Sequence, residues 1–133
     1  MPYVVGVSLA LAVAVVMRYV GFDRDRSFYP TVLMVVALYY VLFAVMGGSM
    51  RALLIESLVM MSFAIAAVVA FKRSAWIAVA GLAAHGVMDA FHGLLVSNPG
   101  VPEWWPAFCL SYDLAAAAGL AWILRREGSK WAR

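Results

Sequence analysis

Polar and reactive residues are scarce in this sequence. Its 133 residues include one cysteine, Cys109, and two histidines, and only 13% are charged. A lone cysteine excludes an intrachain disulfide. So few charged groups leave too little polar surface to cover the core of a soluble domain of this length. The formal charge of +3 does not signal nucleic-acid binding in so apolar a chain, because basic residues of membrane proteins collect at helix ends. The start, Met1-Pro2-Tyr3, has no basic n-region and no small-residue cleavage site follows it, so the first apolar stretch is expected to be a retained helix. What is abundant is hydrocarbon: 66% of residues are hydrophobic, in runs such as 4–17, 52–70 and 114–124. A run near 20 residues matches a hydrocarbon layer about 30 Å thick at about 1.5 Å per helical residue.

These runs predict an all-α integral membrane bundle of five transmembrane helices in one membrane domain, with spans near 3–20, 30–46, 52–71, 75–95 and 105–124. The separators at 21–27, 47–49, 72–74 and 97–102 are rich in Gly, Ser, Pro, Asn and charge, and Pro30 and Pro106 fall near helix starts, where a missing N–H costs nothing. Five crossings put the first loop, the third loop and the carboxyl tail on one side. That side holds Arg18, Arg24, Arg26, Lys72, Arg73, Arg125, Arg126, Lys130 and Arg133, and the other side holds only Arg51. The asymmetry predicts the amino terminus outside and the carboxyl terminus in the cytoplasm; a four-helix count would scramble it.

Small residues recur at Gly6, Ala10 and Ala14 and fill 115–119, surfaces that let membrane helices approach closely. Trp104, Trp105 and Tyr29 lie near span boundaries and are expected to act as interfacial anchors. Met46, Met50, Met60 and Met61 are expected to face lipid or core rather than to handle copper.

Ionisable groups inside hydrocarbon cost about 2.5–3.5 kcal/mol on insertion scales, so each needs a reason. The fourth span carries His85, Asp89 and His92, which fall on a stripe about 60° wide at 100° per residue. The fifth adds Asp113 and the third adds Glu56. Under the proposed topology Glu56, Asp89 and Asp113 lie about 6, 9 and 12 Å below the outer boundary, with His92 at about 5 Å and His85 at about 15 Å. All five therefore fall in the outer half of the bilayer, at depths comparable with Tyr39, Tyr40 and Ser8.

Imidazoles facing carboxylates from neighbouring helices are the chemistry of a divalent metal site, zinc first, with iron or manganese also suited. His85, Asp89, His92 and Asp113 are the candidate ligands. His85 and His92 stand about 10.5 Å apart along the axis, so two ligands from the fourth span joined by Asp113 or Glu56 is the easier arrangement. Glu56, if it does not ligate, is the candidate general base of a hydrolase acting on a lipid-like substrate. Two other readings stand beside this one. The same residues can form a hydrogen-bonded network that holds the helices in register, or Asp89 and Asp113 can serve a non-enzymatic proton or cation carrier. Two histidines on one face of one helix cannot take opposite sides of a haem, and they are too few for a membrane desaturase or hydroxylase. Cys109, one turn before Asp113, offers a soft ligand, although a small packing role is commoner for such a residue.

The stretch His85-Gly86-Val87-Met88-Asp89-Ala90-Phe91-His92-Gly93, with Pro102-Glu103-Trp104-Trp105-Pro106-Ala107-Phe108-Cys109 and Tyr112-Asp113, resembles small bacterial multi-pass membrane proteins of unknown function. The first-loop stretch Asp23-Arg24-Asp25-Arg26-Ser27-Phe28-Tyr29-Pro30 shares the likeness. The resemblance implies a bacterial inner-membrane protein and imports no activity. A looser similarity is to the alkaline ceramidase superfamily, whose members place zinc-binding histidines and an aspartate on transmembrane helices. This chain departs from it in having five spans rather than seven, two histidines and no H-x-x-x-H. The expected partners are the lipid bilayer, a lipid-like or small-molecule ligand and, for so small a chain, further copies of itself, with no nucleic acid.

Overall fold

The computed structural model describes residues 1–128; Lys130 and Arg133 of the basic carboxyl tail lie outside the described residues. Five helices follow one another: α1 (Pro2–Val20), α2 (Phe28–Met46), α3 (Met50–Lys72), α4 (Ala75–Leu95) and α5 (Trp105–Glu127), with a short 3-10 turn at Phe22–Arg24 between α1 and α2. All five are long and apolar enough to cross a membrane. Every one of the expected spans is there, α4 with the bounds read from the sequence, α1, α2 and α5 lengthened by one to three residues at one end and α3 at both. Helix α2 starts two residues before Pro30, which still sits in the first turn, where backbone N–H groups have no intrahelical acceptor. Ser49 and Ser74 cap α3 and α4, their hydroxyls accepting from Ala52 N and Trp76 N.

Helix α4 is the centre of the bundle, packed on α5, α3 and α2, while α1 lies outside and packs along α5. Gly6 makes the α1–α5 contact possible, since a Cβ there would stand 2.0 Å from Ser111 Oγ and 2.4 Å from the Phe108 carbonyl. Gly6 and Ala10 are the only fully buried residues of α1, so the small-residue repeat of the sequence is the seam with α5. At the basic end Arg18 joins Asp23 of the first loop, at 3.4 Å, and Glu127 of α5.

The aromatic boundary residues divide. Trp104 is exposed, as an anchor should be, but Trp105 and Tyr29 are buried. Trp105 packs on Tyr39, Phe43 and Phe108, with ring centroids 4.9 to 5.3 Å apart. The ring contacts with Tyr39 and Phe43 of α2 hold this side chain inward. Met46, Met50 and Met61 are exposed.

Candidate metal centre

Among the described residues seven polar side chains are buried, and five of them are those singled out from the sequence: Glu56, His85, Asp89, His92 and Asp113. The helices bring them together in two groups. In the first, His85 Nδ1 lies 2.6 Å from Asp113 Oδ2 and 3.4 Å from Asp89 Oδ2. Asp89 is one turn beyond His85 on α4, and Asp113 reaches across the α4–α5 seam. Cys109, one turn before Asp113 on α5, is buried with its Sγ 3.7 Å from Asp113 Oδ2. Four residues, His85, Asp89, Cys109 and Asp113, thus offer ligand atoms all within 4.8 Å of one another. The packing role expected for Cys109 is therefore joined by a place within ligating distance of the acidic pair.

The second group lies one turn further along α4, where His92 Nε2 is 2.6 Å from Glu56 Oε1. Asn98, in the connection to α5, donates through Nδ2 to the same Glu56 oxygen and to the Tyr40 carbonyl, each at 3.1 Å. His92 and Glu56 therefore stand outside the four-residue group, and the rise along α4 accounts for it: His85 and Asp89 share adjacent turns, whereas His92 begins the next. Two residues of α4, His85 and Asp89, thus meet Asp113 of α5.

Tyr40 connects the groups. Its hydroxyl donates to Asp89 Oδ1 at 2.6 Å and its ring stacks on His92, centroids 4.0 Å apart at 19°. Phe63 of α3 closes the other side of His85, edge to face at 4.8 Å. Of the two further residues placed at this depth by the sequence, Tyr39 turns toward a groove between α1, α2 and α5, and Ser8 is exposed on the outer face of α1. Asn98 was not legible beforehand. A polar residue in a loop after a span carries no periodicity signal, and only the seating of that loop brings it inward.

Two properties of the first group suit a cation. Among the described residues His85 Nε2, Asp89 Oδ2 and Asp113 Oδ1 are buried without a hydrogen-bond partner, an expensive condition for polar atoms away from water. Moreover, the two groups together hold three carboxylates, Glu56, Asp89 and Asp113, against two imidazoles, and no Lys or Arg among the described residues bridges to any of them. Even with both imidazoles protonated one negative charge is left over, and an uncompensated charge inside a bundle costs several kcal/mol. A divalent ion or a shared proton removes it.

The donor set suits a divalent cation with N, O and S ligands. Bonds of about 2.0 to 2.3 Å to N, O and S place tetrahedral ligand atoms about 3.3 to 3.8 Å apart. The 2.6 Å His85–Asp113 contact is a hydrogen bond, and the ligand atoms of the four residues lie within 4.8 Å of one another. Asp113 can ligate directly or hold His85 through Nδ1 while Nε2 ligates, the second being the usual carboxylate–histidine relation at metal sites. Comparisons with family models, with curated proteins and with solved structures find no match, so function has to be read from these side chains.

Proposed function

We propose that this is a metalloprotein of a bacterial inner membrane, with its amino terminus outside, that holds a divalent ion, zinc first, through His85, Asp89, Asp113 and Cys109 in the outer half of the bilayer. The single observation that carries the reading is the convergence of those four ligand atoms from α4 and α5 within 4.8 Å inside an apolar bundle. The orientation is supported by the collection of Arg18, Arg24, Arg26, Lys72, Arg73, Arg125 and Arg126 at one end of the helices against Arg51 at the other.

The reaction class this site suits best is hydrolysis of a lipid-like substrate. An ion held by three of these four residues would keep a fourth position open and would supply Lewis acidity toward a carbonyl or a water of lowered pKa. The chain's own residues do the rest. Tyr40 fixes the Asp89 carboxylate through its hydroxyl. The His92–Glu56 pair, hydrogen-bonded one turn away, is a buried acid–base couple able to take or return a proton, which keeps Glu56 in the role of acid/base. Phe63 and Tyr40 shield the site from water.

Elemental analysis of protein purified in a mild detergent tests the proposal. A stoichiometric divalent metal is expected, lost in His85→Ala and Asp113→Asn. Cobalt-substituted protein should show a thiolate-to-metal charge-transfer band that Cys109→Ser removes. Absence of stoichiometric metal from the parent protein would sink the reading and leave the shared proton as the neutralising element, which is the chemistry of a carrier or of a structural network.

A further inference from the structure

The four-residue group is sealed, with His85, Asp89, Cys109 and Asp113 each at most 1% exposed. An ion, or the water that hydrolysis consumes, reaches it only when something moves. The distribution of polar atoms around the group gives the direction.

Toward the basic end nothing is present to carry a cation. Helix α4 has no ionisable side chain between Ala75 and His85, and α5 has none between Asp113 and Arg125. Leu33, Leu82 and Leu120 fill that half of the bundle, each at most 1% exposed. Leu33 occupies the space a Cβ on Gly81 would need, its Cδ2 2.6 Å away. A dehydrated ion moving past such side chains finds no ligand to replace its water, which is prohibitively costly.

Toward the opposite end the polar groups are continuous. The Tyr40 hydroxyl meets Asp89, the Tyr40 ring lies on His92, His92 meets Glu56, and Glu56 accepts from Asn98. Asn98 is half-exposed, so this column runs from solvent to the inner group. Along it Glu56 Oε2 is buried without a hydrogen-bond partner among the described residues, a carboxylate oxygen free to receive a passing cation or water.

The column is closed by the connection from α4 to α5. Ser97, Pro99, Glu103 and Trp104 of that connection are exposed. Among the described residues, the hydrogen bonds that tie residues 97–104 to α2 and α3 are the two donated by Asn98 Nδ2, to the Tyr40 carbonyl and to Glu56 Oε1. One amide therefore fastens the connection and covers the first carboxylate beneath it.

We propose that residues 97–104 are a cap latched by Asn98, and that divalent ions and water pass under it, by way of Glu56 and His92, between the aqueous phase at that end of the bundle and the four-residue group. That a divalent ion uses the route rests on the metalloprotein reading above; the route itself does not.

The test uses the full-length protein in lipid nanodiscs, where both faces meet the buffer. The first probe is radioactive zinc, followed as it is released into excess chelator and as it loads stripped protein. Asn98→Ala and Asn98→Asp, which lose the latch, should speed release and loading alike by about tenfold or more, the gain in opening expected when two hydrogen bonds are removed. The dissociation constant should hardly move, because opening that is equally easy with and without the ion changes rates and not affinity. Ile123→Ala, at a buried position near the basic end, weakens the core without touching the cap and should leave both rates unchanged. Unchanged rates in both Asn98 variants, or equal acceleration in Ile123→Ala, would overturn the proposal.

The second probe needs no metal. Aminoethyl methanethiosulfonate, a small cationic thiol reagent, is reacted with buried Cys109 in stripped protein, with Cys109→Ser as the blank. The Asn98 variants should accelerate this reaction and Ile123→Ala should not. Such acceleration in a protein whose parent holds no metal would support the route and refute the metalloprotein reading alone. No acceleration in stripped protein would overturn the route whatever the metal content.

Discussion

The Tyr40 hydroxyl donates a 2.6 Å hydrogen bond to Asp89 Oδ1, and it is the one hydrogen bond that carboxylate receives among the described residues. The other oxygen faces His85 Nδ1 at 3.4 Å, an ion-pair distance rather than a hydrogen bond. The orientation of Asp89 is therefore set from α2, although the rest of its group lies on α4 and α5.

Tyr40→Phe removes that donor while keeping the ring that stacks on His92. A buried carboxylate left without its hydrogen bond costs about 1 to 3 kcal/mol, so thermal unfolding in detergent should move down by several degrees. Loss of a group that orients a ligand typically weakens metal affinity about 10- to 100-fold; competition with a chelator should show a drop of that size, with the metal still stoichiometric at saturation. An unchanged affinity would mean that Asp89 does not ligate.

The two imidazoles should separate in their effects. His85→Ala deletes a member of the four-residue group and should abolish metal binding. His92→Ala should leave the metal stoichiometric, because His92 is engaged with Glu56 and stands apart from the group. Its cost should appear in stability instead. A double-mutant cycle of His92→Ala with Glu56→Gln, read by reversible unfolding, should give a coupling energy of about 0.5 to 3 kcal/mol, the range for residues sharing a hydrogen bond. Metal lost from both single histidine variants would place His92 among the ligands after all.

Why this division escaped the sequence while the fold did not is a matter of distance scales. Spans of about 20 apolar residues and the Gly and Ser breakers are local signals, and they placed every helix. Depth along the membrane normal followed from topology and put Glu56, His85, Asp89, His92 and Asp113 in one layer. Which of them meet depends on rotation about each helix axis and on neighbour choice, and neither is local. A stripe about 60° wide on α4 contains all three of its polar residues, yet α3 takes His92 through Glu56 while α5 takes His85 through Asp113. Cys109 could have been ranked higher from its one-turn spacing to Asp113. Asn98 could not, because its position depends on how a loop seats on α2.

That seating rests on two glycines. A Cβ at Gly100 would stand 1.7 Å from the Phe43 carbonyl oxygen, and one at Gly47 would stand 2.5 Å from Gly100 N. The loop and the end of α2 therefore touch backbone to backbone, which delivers Asn98 to Glu56 and to the Tyr40 carbonyl. Gly100→Ala should push the loop off α2 and break both bonds. At about 0.5 to 1.5 kcal/mol per net hydrogen bond, plus strain of about 1 to 3 kcal/mol, the variant should be destabilised by a few kcal/mol. Asn98→Ala, which loses the bonds without the clash, should cost less, and equal losses for the two would show that the glycine contact itself carries no strain.

The orientation has its own test, independent of any metal. Phe22, in the first loop, and Met50, at the start of α3, are both exposed and lie at opposite ends of the helices. Cys109 is buried, so an added thiol at either position can be read against a silent background. With the basic end in the cytoplasm, Met50→Cys should react with a membrane-impermeant maleimide on intact cells, and Phe22→Cys only after lysis. The prediction follows from the retention of Lys and Arg on the cytoplasmic side during insertion, a rule that acts on short loops such as 21–27 and 72–74. The opposite labelling pattern would invert the bundle and move the His85–Asp113 group to the inner half of the bilayer, where a substrate would have to arrive from the cytoplasmic leaflet.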